Sequence, residues 1–300
     1  MSAELYRAEL RLHCYRLLGS LLDSEDLVEE TFERARRVAA AATSAGLYRL
    51  ATTACLEALA KRPPRVLPHD VVPASDPDGP APAMTEHAWL EPYPDHLLGE
   101  DGDGLAERPT IELAFLAAIQ LLPPKQRATL VLRDVLNWPA ADTAALLDIT
   151  VPATKSALQR ARGTVREQLP AEHANSNTSE EEGAVLEQFL AALESGSADA
   201  LGGVLAEHVR ASFPPAALWV HGRDAVPRAS PSLRSPGEMR CVATTANRQP
   251  AAAVYLRSPV DTAFRLTSLA VLRITAGEIA EIVEFGSPDV VAALGLPTTL

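Results

Sequence analysis

Cysteine is scarce in this chain: Cys14, Cys55 and Cys241 are the only three in 300 residues. Odd in number and far apart, they match neither a disulfide framework nor a metal-ligand spacing. A reducing cytoplasm is therefore the expected setting, with no metal and no cofactor implied. No apolar run is long enough to span a bilayer and no signal peptide is recognisable, so no membrane partner is expected. Aromatics make up 5% of the residues, and the dominance of Ala and Leu favours helices in the first half. An excess of basic residues is also missing. The formal net charge is −12 and the pI about 5.1, which for the whole chain argues against an autonomous nucleic-acid binder. A hydrophobic content of 47% is ample for packed cores, and the length suits two or three domains.

The acidity is unevenly spread. Residues 1–65 carry 10 Lys/Arg against 9 Asp/Glu, and residues 110–169 carry 7 against 5. Residues 66–109 carry 1 against 10, and residues 170–300 carry 9 against 15. Most of the negative charge thus lies outside the two stretches where a helical pattern is strongest. Residues 151–169 alone hold 4 basic residues and 1 acidic, a local face suited to weak contact with a polyanion.

That basic stretch closes the segment Leu121–Leu169, whose pattern is a helix-turn-helix. Pro139 suits the first turn of a short helix with Ala144, Ala145 and Leu147 facing inward. Asp148-Ile149-Thr150 forms the expected turn, with Thr150 as N-cap of the next helix and Pro152 in its first turn. The second helix carries Leu158, Ala161, Val165 and Leu169 on one face. Lys155, Gln159, Arg162 and Arg166 follow the same period on another. An apolar back with a front of Lys, Gln and Arg is shaped for a major groove.

The rest divides by composition. Residues 1–65 are helical, with one apolar stripe at Leu10, Cys14, Leu17 and Leu18 and a second at Leu27, Val28, Phe32 and Ala35. Asp23-Ser24-Glu25-Asp26 charge-matches the second helix's N-terminus, and a third helix covers Leu47–Leu59. Residues 66–109, rich in Pro, Gly and Asp, have the character of an extended linker, with an aromatic island at Trp89–Asp95 suited to docking on a domain. Residues 110–170 form the helix-turn-helix domain. In residues 180–300, helices over Ala184–Leu193 and Ala198–Leu205 precede alternating segments at Arg240–Thr245, Ala251–Arg257, Phe264–Thr275 and Glu278–Phe285. Ala276-Gly277 marks a hairpin turn. The fold class expected is multi-domain: two all-α domains followed by an α+β domain whose sheet and helices enclose a pocket.

Three ordered blocks carry a family resemblance. His13-Cys14-Tyr15-Arg16-Leu17-Leu18-Gly19-Ser20, then Asp23 through Phe32, then Leu47-Tyr48-Arg49-Leu50-Ala51-Thr52-Thr53-Ala54-Cys55-Leu56 resemble the core-binding and promoter-opening domain of extracytoplasmic-function sigma factors. Leu121–Arg162 resembles their minus-thirty-five-reading domain. The island Trp89–Asp95, the block Ala246–Tyr255 and Gly295-Leu296-Pro297 resemble the subgroup with a C-terminal SnoaL-like domain. That domain is related to polyketide cyclases and to the nuclear-transport-factor-like cone.

The resemblance implies two partners, core RNA polymerase and promoter DNA. It places Asp23, Glu25, Asp26, Glu29 and Glu30 against the polymerase clamp; on charge alone they equally suit a solvated helix N-terminus. It places Arg49, Thr52 and Thr53 near the minus-ten strand, and Lys155, Ser156, Gln159, Arg160 and Arg162 on the minus-thirty-five element. It also implies that the SnoaL-like domain regulates the sigma activity, with a small-molecule ligand in its pocket as a further partner. One departure stands out. Where relatives carry a longer segment with two Trp residues, this chain has the Ala-rich, ring-free Ala35–Gly46, whereas strand capture relies on stacking.

For the C-terminal pocket the candidate lining is Trp219, His221, Arg248, Tyr255 and Phe264. The candidate proton-moving groups are His221, Asp261 and Glu284. His221 before a turn, and aromatics at strand spacing, equally suit a surface position and a packed core. The alternative to a regulated sigma factor is a sigma-derived protein repurposed as a small-molecule-binding or cyclase-like enzyme of secondary metabolism.

Overall fold

The computed structural model describes residues 6–37, 43–79, 87–98, 110–169 and 179–300. They fall into two units, residues 1–66 with 96–170 and residues 67–95 with 171–300. The first opens with α1 (Arg7–Leu18), α2 (Leu21–Arg36) and α3 (Ser44–Leu59). Their shared core includes Leu10, Leu17, Val28, Phe32, Leu47 and Ala54. Gly19, at φ 70, ends α1 in the left-handed region, where a side chain is disfavoured. The Ser20 hydroxyl then accepts the Asp23 N–H at 3.0 Å and starts α2. Of the segment Ala35–Gly46, residues 38–42 lie outside the described residues.

A short helix, α4 (Pro68–Val71), belongs to the second unit. The first resumes with α5 (Leu113–Gln120), α6 (Pro124–Leu130, continuing through a π-turn at Val131–Val135), α7 (Ala140–Leu147) and α8 (Val151–Gln168). The turn between α7 and α8 follows its local chemistry. Asp148 sits at φ 52, and the Thr150 hydroxyl accepts the Ala153 N–H at 3.2 Å. Thr150→Ala should cost about 1 kcal/mol. Hydrogen exchange at the first turn of α8 checks this; unchanged protection would contradict the cap.

Arg127 on α6 joins the two halves of this unit. It is 2% exposed and donates to the Leu17 carbonyl at the end of α1. It also donates to the Gln120 carbonyl (2.6 Å) and side-chain oxygen at the end of α5, and to the Leu122 carbonyl. Every one of these acceptors is neutral. The guanidinium is solvated by the negative ends of two helices instead of a carboxylate. Burial lowers its pKa to about 10, which leaves it charged at neutral pH.

The second unit contains α9 (Ser179–Ser195), α10 (Ala198–Gly202), β1 (Leu205–Ser212), β2 (Trp219–His221), α11 (Ala225–Ala229) and α12 (Pro231–Arg234). Four long strands follow, β3 (Glu238–Ala246), β4 (Gln249–Arg257), β5 (Arg265–Thr275) and β6 (Glu278–Phe285), then α13 (Pro288–Ala293). The sheet order is β2-β1-β6-β5-β4-β3, with β1 parallel to β6 and every other pair antiparallel. Ala276 and Gly277, at φ 53 and 77, make the tight β5–β6 turn. Ala252, Val254, Ala270, Leu272 and Ile282 face a core shared with Val185 and Phe189 of α9.

Two expectations need correction. The helix expected over Ala198–Leu205 stops at Gly202, and Leu205 begins a strand absent from the sequence reading. A bulge between Leu205 and Arg210 breaks the alternation that identifies a strand. Nor is the Pro-rich segment 66–109 a free linker where it is described. The described residues 67–79 and 87–95 form a strap on the sheet domain. The Trp219 indole N–H donates to the Val72 carbonyl at 2.8 Å, and His69 Nδ1 lies 3.1 Å from the Ser212 hydroxyl. Tyr93 and Asn247 exchange two hydrogen bonds, at 2.9 and 2.8 Å. Prolines fix an extended chain, and the groups that anchor it lie more than a hundred residues away.

The strap lies beside a buried charge cluster. Glu281, 6% exposed, accepts from Arg210 at 2.7 Å and from Arg273 at 3.2 Å. Burial alone would raise its pKa, but the two guanidinium groups, with His69, outweigh it and hold the carboxyl below its usual range. A carboxyl depressed in the folded state stabilises above the unfolded value of about 4.3, and that stabilisation is lost as pH falls through the folded value. Glu281→Gln should therefore flatten the loss of stability between about pH 5 and pH 3 relative to wild type. Urea unfolding across that range tests this, and an unaltered pH dependence would contradict it.

Candidate functional site

Burial sorts the candidate residues. On α8, Thr154, Ala157, Leu158, Ala161 and Val165 are buried. Lys155, Ser156, Gln159, Arg160, Arg162 and Arg166 are exposed on the other faces. The side chains expected to meet DNA therefore form a solvent-facing row on an 18-residue helix. Arg162 is the constrained member. Its Nε and Nη2 donate to the two Asp134 oxygens at 2.7 Å each, a two-pronged pair that fixes the guanidinium plane.

On α3 the three candidates separate. Arg49 and Thr53 are exposed, whereas Thr52 is fully buried. The Thr52 hydroxyl donates to the Tyr48 carbonyl at 2.7 Å and lies 2.8 Å from His13 Nε2. Thr52 is a core residue, and its assignment to a DNA surface is corrected. Much of the first resemblance block is core as well. Tyr15, Arg16, Leu17 and Tyr48 are buried, and burial, helped by Arg16, lowers the His13 pKa to about 3, so its ring is neutral. Tyr48 meets His13 and Trp138 edge-on, at 5.1 and 6.1 Å. These residues shape the domain's core.

The acidic face of α2 is largely paired within its own domain. Asp23 bonds Arg62 and Arg65 at 2.6 and 2.7 Å. Burial would raise its pKa, but the Arg65 and Arg62 bonds prevail and lower it. Glu25 meets Arg7 and Arg11, Glu29 meets Arg7, and Glu30 meets Arg34. Asp26 is exposed. The more exposed of these pairs, those of Glu29 and Glu30, are worth about 0–1 kcal/mol, so they exchange for other cations at little cost, whereas Asp23 is more firmly held.

In the second unit a cavity of about 290 Å³ opens at one end of the helix-bearing sheet face. It is lined by Phe213, Pro214, Pro231, Ser232, Leu256 and Glu284, among others. Of the candidates, only Glu284 lines it. Tyr255 alternates with Val254 and Leu256 and so faces the opposite side of the sheet. Phe264 packs under the guanidinium groups of Arg240 and Arg257. Trp219 holds the strap, and Arg248 occupies the β3–β4 turn at φ 55, its backbone N–H bonded to Asp95. His221 is exposed and stacks on His208 with ring centroids 5.8 Å apart. Asp261 accepts the Ser258 hydroxyl within its own turn. Ser232 and Ser268, which bond Glu284, escaped the sequence reading because serine carries no periodic signal. Among the described residues no cluster of His, Cys, Asp or Glu suits a metal, and no helix is long and apolar enough to cross a membrane.

The architecture is that of a helix-turn-helix protein with an appended six-stranded α+β domain. Residues 112–165 match the family model for sigma-70, region 4. The ECF RNA polymerase sigma factor SigG of Mycobacterium tuberculosis is 37% identical over 313 residues, which covers 99% of this chain and 83% of that protein. SigW of Bacillus subtilis, another ECF RNA polymerase sigma factor, is 26% identical over 55% of this chain and 86% of its own length. The crystal structure of the Mycobacterium tuberculosis extracytoplasmic function sigma factor SigJ shares the fold. Its TM-score is 0.63 at 20% identity, over 98% of both chains. The chain belongs to the family of ECF RNA polymerase sigma factors.

Proposed function

We propose that this chain joins core RNA polymerase in the cytoplasm and directs it to promoter DNA. The exposed row on α8 carries the reading: Lys155, Ser156, Gln159, Arg160 and Arg162 contact the bases and phosphates of the minus-thirty-five element. Arg49 and Thr53 on α3 face the minus-ten strand. The α2 carboxylates meet basic polymerase helices, Asp26 directly and Asp23, Glu25, Glu29 and Glu30 by exchanging their present arginine partners. With so small a basic face, affinity for DNA comes from polymerase. The fused C-terminal domain, with its strap, regulates this activity.

The test is direct. Core RNA polymerase passed over the immobilised full chain should be retained, and Glu25→Lys/Asp26→Lys/Glu29→Lys should weaken retention. Failure of the wild type to retain core polymerase would overturn the reading. Cyclase-like or isomerase-like chemistry finds less support, because neither His221 nor Asp261 reaches the cavity that Glu284 lines. The cavity itself favours a small-molecule input to the regulation.

A further inference from the structure

We infer that the cavity beside Glu284 binds an uncharged small molecule with an apolar body and a carbonyl oxygen, held by a hydrogen bond from the Glu284 carboxylic acid. The inference extends the small-molecule part of the preceding reading and needs nothing from its polymerase part. It begins with volume. About 290 Å³ lies at the lower end of ligand pockets, enough for a compact bicyclic molecule. Most of the lining is apolar, from Phe213, Pro214, Pro215, Pro231 and Leu256, and Glu284 is the one ionisable residue in it.

Glu284 is 8% exposed. Its position follows from β6, where Ile282 and Glu284 share a face; Ile282 joins the core, and Glu284 lies one pleat beyond it at the cavity. Both hydroxyls that bond it address the same oxygen: Ser232 and Ser268 donate to Oε1, the latter at 2.8 Å. Oε2 has no partner among the described residues. The geometry thus leaves Oε2, of the two carboxyl oxygens, available to a molecule in the cavity. Burial favours the protonated form. It raises the carboxyl's pKa, and the two serine bonds only partly offset it.

Protonated on the unpartnered Oε2, the carboxyl would present an O–H donor at the wall of a largely apolar cavity, where a donor calls for an acceptor. A ketone or similar carbonyl supplies one. An anion finds no cation in the lining, and an ammonium ion would need Glu284 ionised, which its burial opposes. Had the site served packing alone, an apolar side chain would complete the core without an unused donor.

Naphthyl methyl ketone is a suitable probe, with isopropenylnaphthalene as its carbonyl-free counterpart, both titrated into the full chain by calorimetry. The ketone should bind saturably at one site. Glu284→Leu should weaken it about tenfold, while Glu284→Gln, whose amide N–H still donates, should stay within a few-fold. The hydrocarbon should be indifferent to both changes. With wild type alone, the ketone's carbonyl-carbon resonance should move downfield on binding, as it does when that oxygen accepts a hydrogen bond. No saturable binding, equal ketone affinity in Glu284→Leu, or no downfield movement would each overturn the inference. Polymerase and promoter are absent from the assay, so its failure leaves the sigma reading standing, and the converse holds.

Discussion

Replacing Arg127 by Met is expected to destabilise the first unit by about 3 kcal/mol, although it removes no salt bridge. The guanidinium spans carbonyl groups at the ends of α1 and α5. Each buried carbonyl left without a donor costs about 1–3 kcal/mol, and relief from desolvating a buried cation returns part of the total. Arg127→Lys should recover little, because an ammonium on a flexible stem cannot match the planar fork. Hydrogen exchange read peptide by peptide should show the loss in α1, α5 and α6 together. Protection unchanged across those helices, or loss confined to α6, would mean that Arg127 does not join the two halves.

The second large effect concerns α8. In polymerase holoenzyme, Lys155→Glu/Arg160→Glu should lower promoter affinity about 100-fold and reduce the dependence of log affinity on log salt by roughly two. Both side chains are exposed, so stability should not change, and the loss would belong to the interface. Arg162→Glu is the less clean variant, because it places a carboxylate against Asp134, the present partner of Arg162. Fluorescence anisotropy of labelled promoter across a salt series measures affinity and slope together. An unaltered slope would remove Lys155 and Arg160 from the phosphate contacts.

What the sequence disclosed follows the range of the forces involved. The α7–α8 turn was legible because its determinants, Asp148, Thr150 and Pro152, lie within five residues of one another. The β5–β6 hairpin was legible through Ala276-Gly277 for the same reason. Thr52 misled because a motif identifies residues without saying which way they face, and this one bonds inward to His13. Arg127 is indistinguishable in sequence from a DNA-facing arginine until the ends of α1 and α5 arrive beside it. The cavity was half legible. Glu284 was among the acidic candidates, but Tyr255 and Phe264 were assigned to the pocket from residue type alone. Strand parity turns Tyr255 away from it, while Ser232 reaches it from a short helix 52 residues distant. Of the strap, the island Trp89–Asp95 was legible through its two aromatics, and Tyr93 does dock on Asn247; residues 67–79 were hidden because proline-rich sequence specifies an extended chain and not what that chain lies on.

Run-off transcription with purified core polymerase and the full chain tests the central claim most directly. Matched templates are required, one fully duplex and one pre-melted around the minus-ten region. The account predicts a defined transcript that depends on this protein, more abundant from the pre-melted template because Ala35–Gly46 offers no ring to capture a flipped base. It also predicts that Lys155→Glu/Arg160→Glu abolishes the transcript. Absence of any protein-dependent transcript from either template would contradict the assignment of this chain as a working sigma factor.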